Sequence, residues 1–322
     1  MTLTLVVLMA LQAQGWQAGV DSLAKRGDFS GVVLVARNGV PEFEQAYGMA
    51  DRESGRSNTI ETSFNIGSIN KFFTGIAVRQ LAAQGKLDLD SSLARAWPDY
   101  PNQDVAKRVT IRQILEHSSG IQGNIFAAPP GKTRHDVVTL NDYLQLFVNE
   151  PLQFAPGSQR QYSNAGYIVL GLLIEKISGE NYFEYVNKHI YEPAGMHQTG
   201  SWRIGRWPAN TAIGYTRGPG PDRRDDAPLG RNTDFLPGKG SSAGGGYSTA
   251  HDLLSLMNAL RNHRIPNAPE PGMVGIAGGA PGLNATVDGD LPGGYDVIVL
   301  ANLDPPAAER VARVIRTALG GQ

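Results

Sequence analysis

Apolar residues cluster in short strand-like runs toward both ends of the chain and recur at helical spacing between them. Gly31-Val-Val-Leu-Val-Ala-Arg37, Asn38-Gly39 and Val40–Tyr47 predict a strand, a two-residue turn and a second strand. From about Lys71 to Ala194 the pattern becomes helical. Phe72, Phe73, Ile76, Ala77 and Leu81 share one helical period, and Thr110–His117, Leu140–Val148 and Gly166–Ser178 predict helices between Gly/Pro-rich joins. Asn284–Val287 and Asp296–Ala301 then predict strands, and Ala307–Leu319 a closing amphipathic helix. The expected fold is α/β of the α+β type: an antiparallel sheet flanked by helices and built from both chain ends, with an inserted, mostly helical domain. The sheet domain is expected over 14–75 and 200–322, the helical insert over 76–199, with a cleft between them. Residues 217–240, rich in Gly, Pro, Asp and Arg, read as a long exposed loop of the kind that serves a function.

Composition narrows the functional classes. The 322 residues are 41% apolar, enough for a full core. Lys and Arg number 29 against 30 Asp and Glu, so the summed charge offers no attraction to nucleic acid or an anionic membrane. Cysteine is absent, which removes disulfides, a thiol nucleophile and thiolate-bound zinc. The six histidines lack ligand spacing, so neither a metal nor another cofactor is implied. Residues 1–13 carry an apolar run with the character of a secretory signal, too short to span a bilayer. A periplasmic or secreted location follows if that segment acts as a signal, and a cytoplasmic one otherwise. Oligomeric state is left open.

Three short segments carry candidate chemistry. In Asn65-Ile-Gly-Ser68-Ile-Asn-Lys71-Phe-Phe73, a hydroxyl and an amine stand three residues apart. Helical spacing brings their Cβ atoms to roughly 5–6 Å, the arrangement of a nucleophile and its base. Ser22-Leu-Ala-Lys25 has the same spacing but sits in an ordinary amphipathic segment, whereas Ser68 opens a run that reads as buried helix. The alternative for Ser68 is a helix cap beside a solvated lysine. In the second segment, Phe154-Ala-Pro-Gly-Ser-Gln-Arg-Gln-Tyr162-Ser-Asn164, a phenol and an amide follow a Pro-Gly turn. The same triplet at Tyr100-Pro-Asn102 and Tyr185-Val-Asn187 lacks that context. The third is Gly275-Ile-Ala-Gly-Gly-Ala-Pro-Gly-Leu-Asn284, whose glycines permit close backbone approach to a ligand. An N–H there, paired with that of Ser68, would hold a tetrahedral oxyanion. The alternative is a Gly-rich bend without a ligand.

Together these segments resemble the serine β-lactamase and penicillin-binding-protein superfamily, and within it the class C β-lactamase-like group that includes the family VIII carboxylesterases. Thr110-Ile-Arg-Gln-Ile-Leu-Glu-His117-Ser-Ser-Gly120, Phe154-x-Pro-Gly157, Glu192-Pro-Ala-Gly-Met196 and Ala243-Gly-Gly-Gly-Tyr-Ser-Thr249 extend the likeness over most of the chain. The resemblance implies Ser68 as acylated nucleophile, Lys71 as its activating partner and Tyr162 as the base that later activates water. A phenol of ordinary pKa ~10 needs a nearby cation for that task, and Lys71 would supply it. Asn164 would bind substrate or hold Lys71, Gly279 would give the second oxyanion N–H, and His117 would be structural.

The third motif of the group offers Lys-Thr-Gly or His-x-Gly, where this chain has Ile276-Ala277-Gly278 as candidate substrate contacts. An uncharged residue at 276 argues for a neutral, apolar substrate, although arginines of the 217–231 loop would be able to replace the cation. The short spacing from Thr249 to Gly275 implies a trimmed site wall. No His-Glu-x-x-His occurs, and Pro130-Gly-Lys-Thr133 lacks the upstream glycine of a phosphate loop. The expected activity is cofactor-free hydrolysis of a small or short-chain ester by a serine carboxylesterase, with at most weak β-lactamase activity. A D-amino-acid peptidase or amidase, a β-lactamase, and a silent binding protein of the same fold are the alternatives.

Overall fold

The computed structural model describes residues 15–218, 227–268 and 274–320. The expectation for residues 1–13, and the part of the predicted loop over 219–226, lie outside the described residues. In chain order, a first helix α1 (15–25) leads to β1 (Gly31–Arg37) and β2 (Val40–Tyr47). Two small strands, β3 (Met49–Asp51) and β4 (Arg56–Ser57), precede β5 (Phe64–Gly67) and α2 (Asn70–Ala83). The helical region holds α3 (Leu93–Ala96), α4 (Gln103–Arg108), α5 (Ile111–Leu115), α6 (Leu140–Leu144), α7 (Asn164–Ser178), α8 (Tyr182–Val186) and α9 (Glu192–Ala194). The chain then returns through β6 (Tyr215–Thr216), β7 (Gly230–Arg231), β8 (Gly246–Ser248) and α10 (Ala250–Arg261). It closes with β9 (Val274–Ala280), β10 (Leu283–Leu291), β11 (Tyr295–Ala301) and α11 (Ala307–Ala318).

The main sheet has the order β2-β1-β11-β10-β9, antiparallel throughout, so the first and last strands of the chain are joined in its middle. The β1–β2 turn is the predicted one, with Asn38 and Gly39 at φ 50° and 77°, the left-handed pair that a two-residue hairpin loop requires. β1 is buried on both faces. Val32, Leu34 and Ala36 face the larger core with Ile298, Leu300, Ala285 and Val287. Val33 and Val35 face a second core closed by Trp16 and Val20 of α1 and by Ala308, Val311, Ala312 and Ile315 of α11. Each such side chain taken out of water contributes roughly 1.5–3 kcal/mol before the entropy cost of ordering it.

On the other face, α7 is the pillar of the helical region, buried from Ala165 through Ile174. It begins where the Ser163 hydroxyl accepts the Gly166 N–H and ends at Gly179 in the left-handed conformation. Capping boxes at Thr110/Gln113 and Thr139/Asp142 start α5 and α6. The helix α2 runs unbroken through position 75, where the sequence pattern put a domain boundary. Sheet residues and those of α5, α6 and α7 form one continuous core around it.

Candidate active site

β5 and β8 pair beside the edge strand β9, and Gly67, at φ 51°, turns the chain out of β5 into Ser68 and α2. Close approach here depends on glycine. A Cβ on Gly278 would stand 2.0 Å from the Ile66 carbonyl oxygen and 2.8 Å from the Ser68 nitrogen, and one on Gly67 would stand 3.0 Å from the Gly279 nitrogen. The backbones that carry the Ser68 and Gly279 amides are therefore neighbours.

Ser68 lies two residues before α2, in the turn that leads into it, with its carbonyl accepting the Lys71 N–H at 3.0 Å. This brings Lys71 Nζ to 3.2 Å from Ser68 Oγ. The same nitrogen donates to Asn164 Oδ1 at 2.7 Å and to the Ala243 carbonyl. From the far side the Tyr162 hydroxyl donates to Ser68 Oγ at 2.6 Å. Tyr162 and Asn164 reach the same point because the chain between them is extended at Ser163 (φ −130°, ψ 118°). Ser163 itself turns inward, where its hydroxyl donates to the Ile121 carbonyl.

His117 locks this arrangement. Its Nδ1 accepts the Ser163 N–H at 3.1 Å, and its ring lies between those of Tyr162 and Tyr167, with centroids at 4.7 and 5.0 Å. Burial, reinforced by the positive charges of Lys71 and Arg160, lowers its pKa to about 4, so the imidazole is neutral and remains an acceptor near pH 7.

Lys71 is only 7% exposed, and burial lowers its pKa to about 7. Tyr162 is open along its ring, 52% exposed, yet its hydroxyl sits against Ser68. Burial there raises the phenol above its ordinary value, and the bond to Ser68 opposes the rise without cancelling it. These directions favour a lysine that can shed its proton near pH 7 beside a phenol that keeps its own. A neutral amine that gives its two N–H groups to Asn164 and Ala243 keeps its lone pair for the serine proton.

Ser68, Tyr162, Asn164 and Gly279 line one cavity of about 410 Å³. Most of its remaining wall is apolar: Ile125 and Phe126, Phe235–Pro237, and Ala280, Pro281 and Leu283. Ile276, Ala277 and Gly278 are not part of this lining. Ile276 packs against the main core and Gly278 faces Ile66, so the wall expected at 276–278 is displaced to 279–283. Of the described arginines in the 217–231 loop, Arg217 donates to the Ala227 carbonyl and Arg231 pairs with Asp51 and Glu53, and neither lines the cavity, while Arg223 and Arg224 lie outside the described residues.

A family model described as Beta-lactamase matches residues 16–296. The chain belongs to the β-lactamase family. It is 31% identical over 269 residues to esterase EstB of Burkholderia gladioli, which covers 75% of this chain and 68% of EstB. It is 30% identical over 196 residues to the putative penicillin-binding protein PbpX of Bacillus subtilis (strain 168), covering 61% of this chain and 47% of PbpX. The chain thus spans about half the length of PbpX and about two thirds of that of EstB. The solved structure of a penicillin-binding protein from Bacillus halodurans superposes with a TM-score of 0.79 at 28% identity, covering 92% of this chain and 99% of that one.

Within this serine hydrolase family the chain has site features that its sequence pattern did not reveal. The carbonyls of Ser241, Ser242 and Ala243 accept in turn from Asn70, Thr74 and Lys71, so this segment is stapled along the first turns of α2. Ala243 opens a recognised motif, but nothing in its residue type announces a carbonyl acceptor. Arg134 and Phe235 also reach the cavity, from segments without apolar period. Among the described residues no helix is long and apolar enough to cross a membrane.

Proposed function

We propose that the chain is a serine carboxylesterase that cleaves small or short-chain esters through an acyl-enzyme on Ser68. The observation that carries this reading is the Ser68 hydroxyl held between Lys71 Nζ and the Tyr162 hydroxyl at the end of a largely apolar cavity. Lys71, as neutral amine, takes the proton while Ser68 Oγ attacks the carbonyl carbon. The negative oxygen of the tetrahedral intermediate faces the adjoining amides of Ser68 and Gly279. As the C–O bond breaks, Tyr162 gives its proton to the leaving alkoxide and is reprotonated from Lys71. Water then attacks the acyl-enzyme, surrendering a proton to the Tyr162–Lys71 pair and returning one to Ser68. These two groups titrate as a coupled pair.

The apolar wall of Ile125, Phe126, Phe235–Pro237 and Leu283 supports a small ester, and likeness to a protein named esterase EstB agrees with that choice. A second reading, a peptidase or amidase on substrates with a free carboxylate, is favoured by one observation, the Arg134 side chain in the cavity wall.

Hydrolysis of p-nitrophenyl butyrate, a chromogenic cephalosporin and a D-alanyl peptide by wild type and Ser68→Ala separates the readings. An esterase cleaves the butyrate fastest and loses that activity with Ser68. Preferred cleavage of the peptide favours the second reading. Butyrate hydrolysis that survives in Ser68→Ala contradicts the assigned nucleophile.

A further inference from the structure

Arg134 is the only formally charged side chain among the described residues that line the cavity. It belongs to a short turn, Arg134–Asp136, between α5 and α6, on the helical side and remote in sequence from every recognised motif. A clasp between two distant loops fixes its backbone: Gly238 N–H donates to the Arg134 carbonyl at 3.0 Å and Lys239 N–H to that of Val137 at 3.2 Å. A Cβ on Gly238 would fall 2.0 Å from the His135 carbonyl oxygen, so the two loops are in backbone contact. His135 Nε2 lies 3.1 Å from the Thr233 carbonyl on the same side.

The guanidinium is committed far less than its backbone. Its one hydrogen bond among the described residues runs to the Phe235 carbonyl at 3.4 Å, and it has no ion pair there. A guanidinium carries five N–H donors in a planar fork suited to a carboxylate. Here most of them remain for a ligand, on a rigid support, beside Phe235, Leu236 and Pro237. Apolar walls strengthen a charge-assisted bond by excluding water.

We propose that Arg134 is a specificity-determining anion anchor, which selects substrates carrying a carboxylate remote from the bond that Ser68 attacks. This rests on the serine hydrolase reading above and assigns its substrate class: half-esters of small dicarboxylic acids and related anionic acyl compounds. A sphere of the cavity's volume is about 9 Å across, so a chain of a few carbons spans from nucleophile to anchor. The cation enters from the helical side, leaving the Gly279–Leu283 wall uncharged.

The test compares mono-p-nitrophenyl glutarate with p-nitrophenyl valerate, which have acyl chains of equal length and differ in the terminal carboxylate. In wild type the ratio of kcat/KM, glutarate over valerate, exceeds that in Arg134→Gln by about tenfold. Arg134→Lys keeps part of the preference, and raised salt lowers the wild-type ratio. A ratio equal in wild type and Arg134→Gln overturns the assignment. Because each ratio is taken within one protein, a general loss of folded enzyme cancels. Calorimetric titration of both intact esters into Ser68→Ala and into Ser68→Ala with Arg134→Gln gives a readout without turnover. If wild type hydrolyses neither ester, the esterase reading fails, while Arg134-dependent binding of the glutarate ester still supports the anchor. Equal binding with and without Arg134, or none, overturns it.

Discussion

Around the nucleophile, Ser68, Lys71, Tyr162 and Asn164 hold one another through side-chain hydrogen bonds. On the strand across from them, β9 contributes three glycines and apolar residues, and its close approach to Ser68 is a backbone contact. The first region is specified by chemistry, since each polar group has a partner and moving one leaves another unsatisfied. The second is specified by what is absent, namely the Cβ atoms that would push β5 and β9 apart. Activation of the serine therefore depends on particular functional groups, whereas the β9 wall depends on space and tolerates changes that leave the glycines in place.

That contrast is broken most severely by Lys71→Met, expected to lower kcat for p-nitrophenyl butyrate by about 10³-fold with the fold retained by circular dichroism. Tyr162→Phe removes the proton donor to the leaving group and one member of the pair that deprotonates water, yet leaves Lys71 in place, and should cost about 10²-fold. For wild type, kcat/KM should rise with pH through about 7 as Lys71 loses its proton. A lowered lysine pKa makes the basic form available from neutral pH upward, so the rate falls up to about tenfold per pH unit below that midpoint. On the other wall, Gly278→Val forces β5 and β9 apart, and about 1–3 kcal/mol of stability should be lost in denaturant unfolding. Ile276→Lys tests the tolerance of that wall at its smallest. Because residue 276 packs outside the cavity lining, chromogenic cephalosporin hydrolysis should change by no more than a few-fold.

The same division explains what the sequence revealed. Ser68 with Lys71, and Tyr162 with Asn164, were legible as pairs because their spacing is local, while their joint role came from resemblance to a family. The Asn38-Gly39 hairpin and the closing helix were legible for the same reason, since their signals lie within a dozen residues. By contrast, β9 was not legible as a strand, because four glycines in the ten residues Gly275–Asn284 weaken the strand signal and its pairing with β10 is tertiary. Arg134, the Phe235–Pro237 wall and the Ala243 carbonyl sit in polar or Gly-rich stretches whose only order comes from clasping a distant segment. The proton arrangement was not legible, because it depends on how deeply each group is buried: burial lowers the Lys71 pKa and raises that of Tyr162.

The most direct test of a serine activated by a buried neutral lysine is the pH dependence of Ser68 labelling by a fluorophosphonate, followed by mass spectrometry in folded wild type and Lys71→Met. The account predicts one label, on Ser68, with a rate that rises through about pH 7 in wild type and collapses in Lys71→Met. Folded wild type that remains unlabelled at Ser68, or labelling that is equally fast in both proteins across that range, would contradict it.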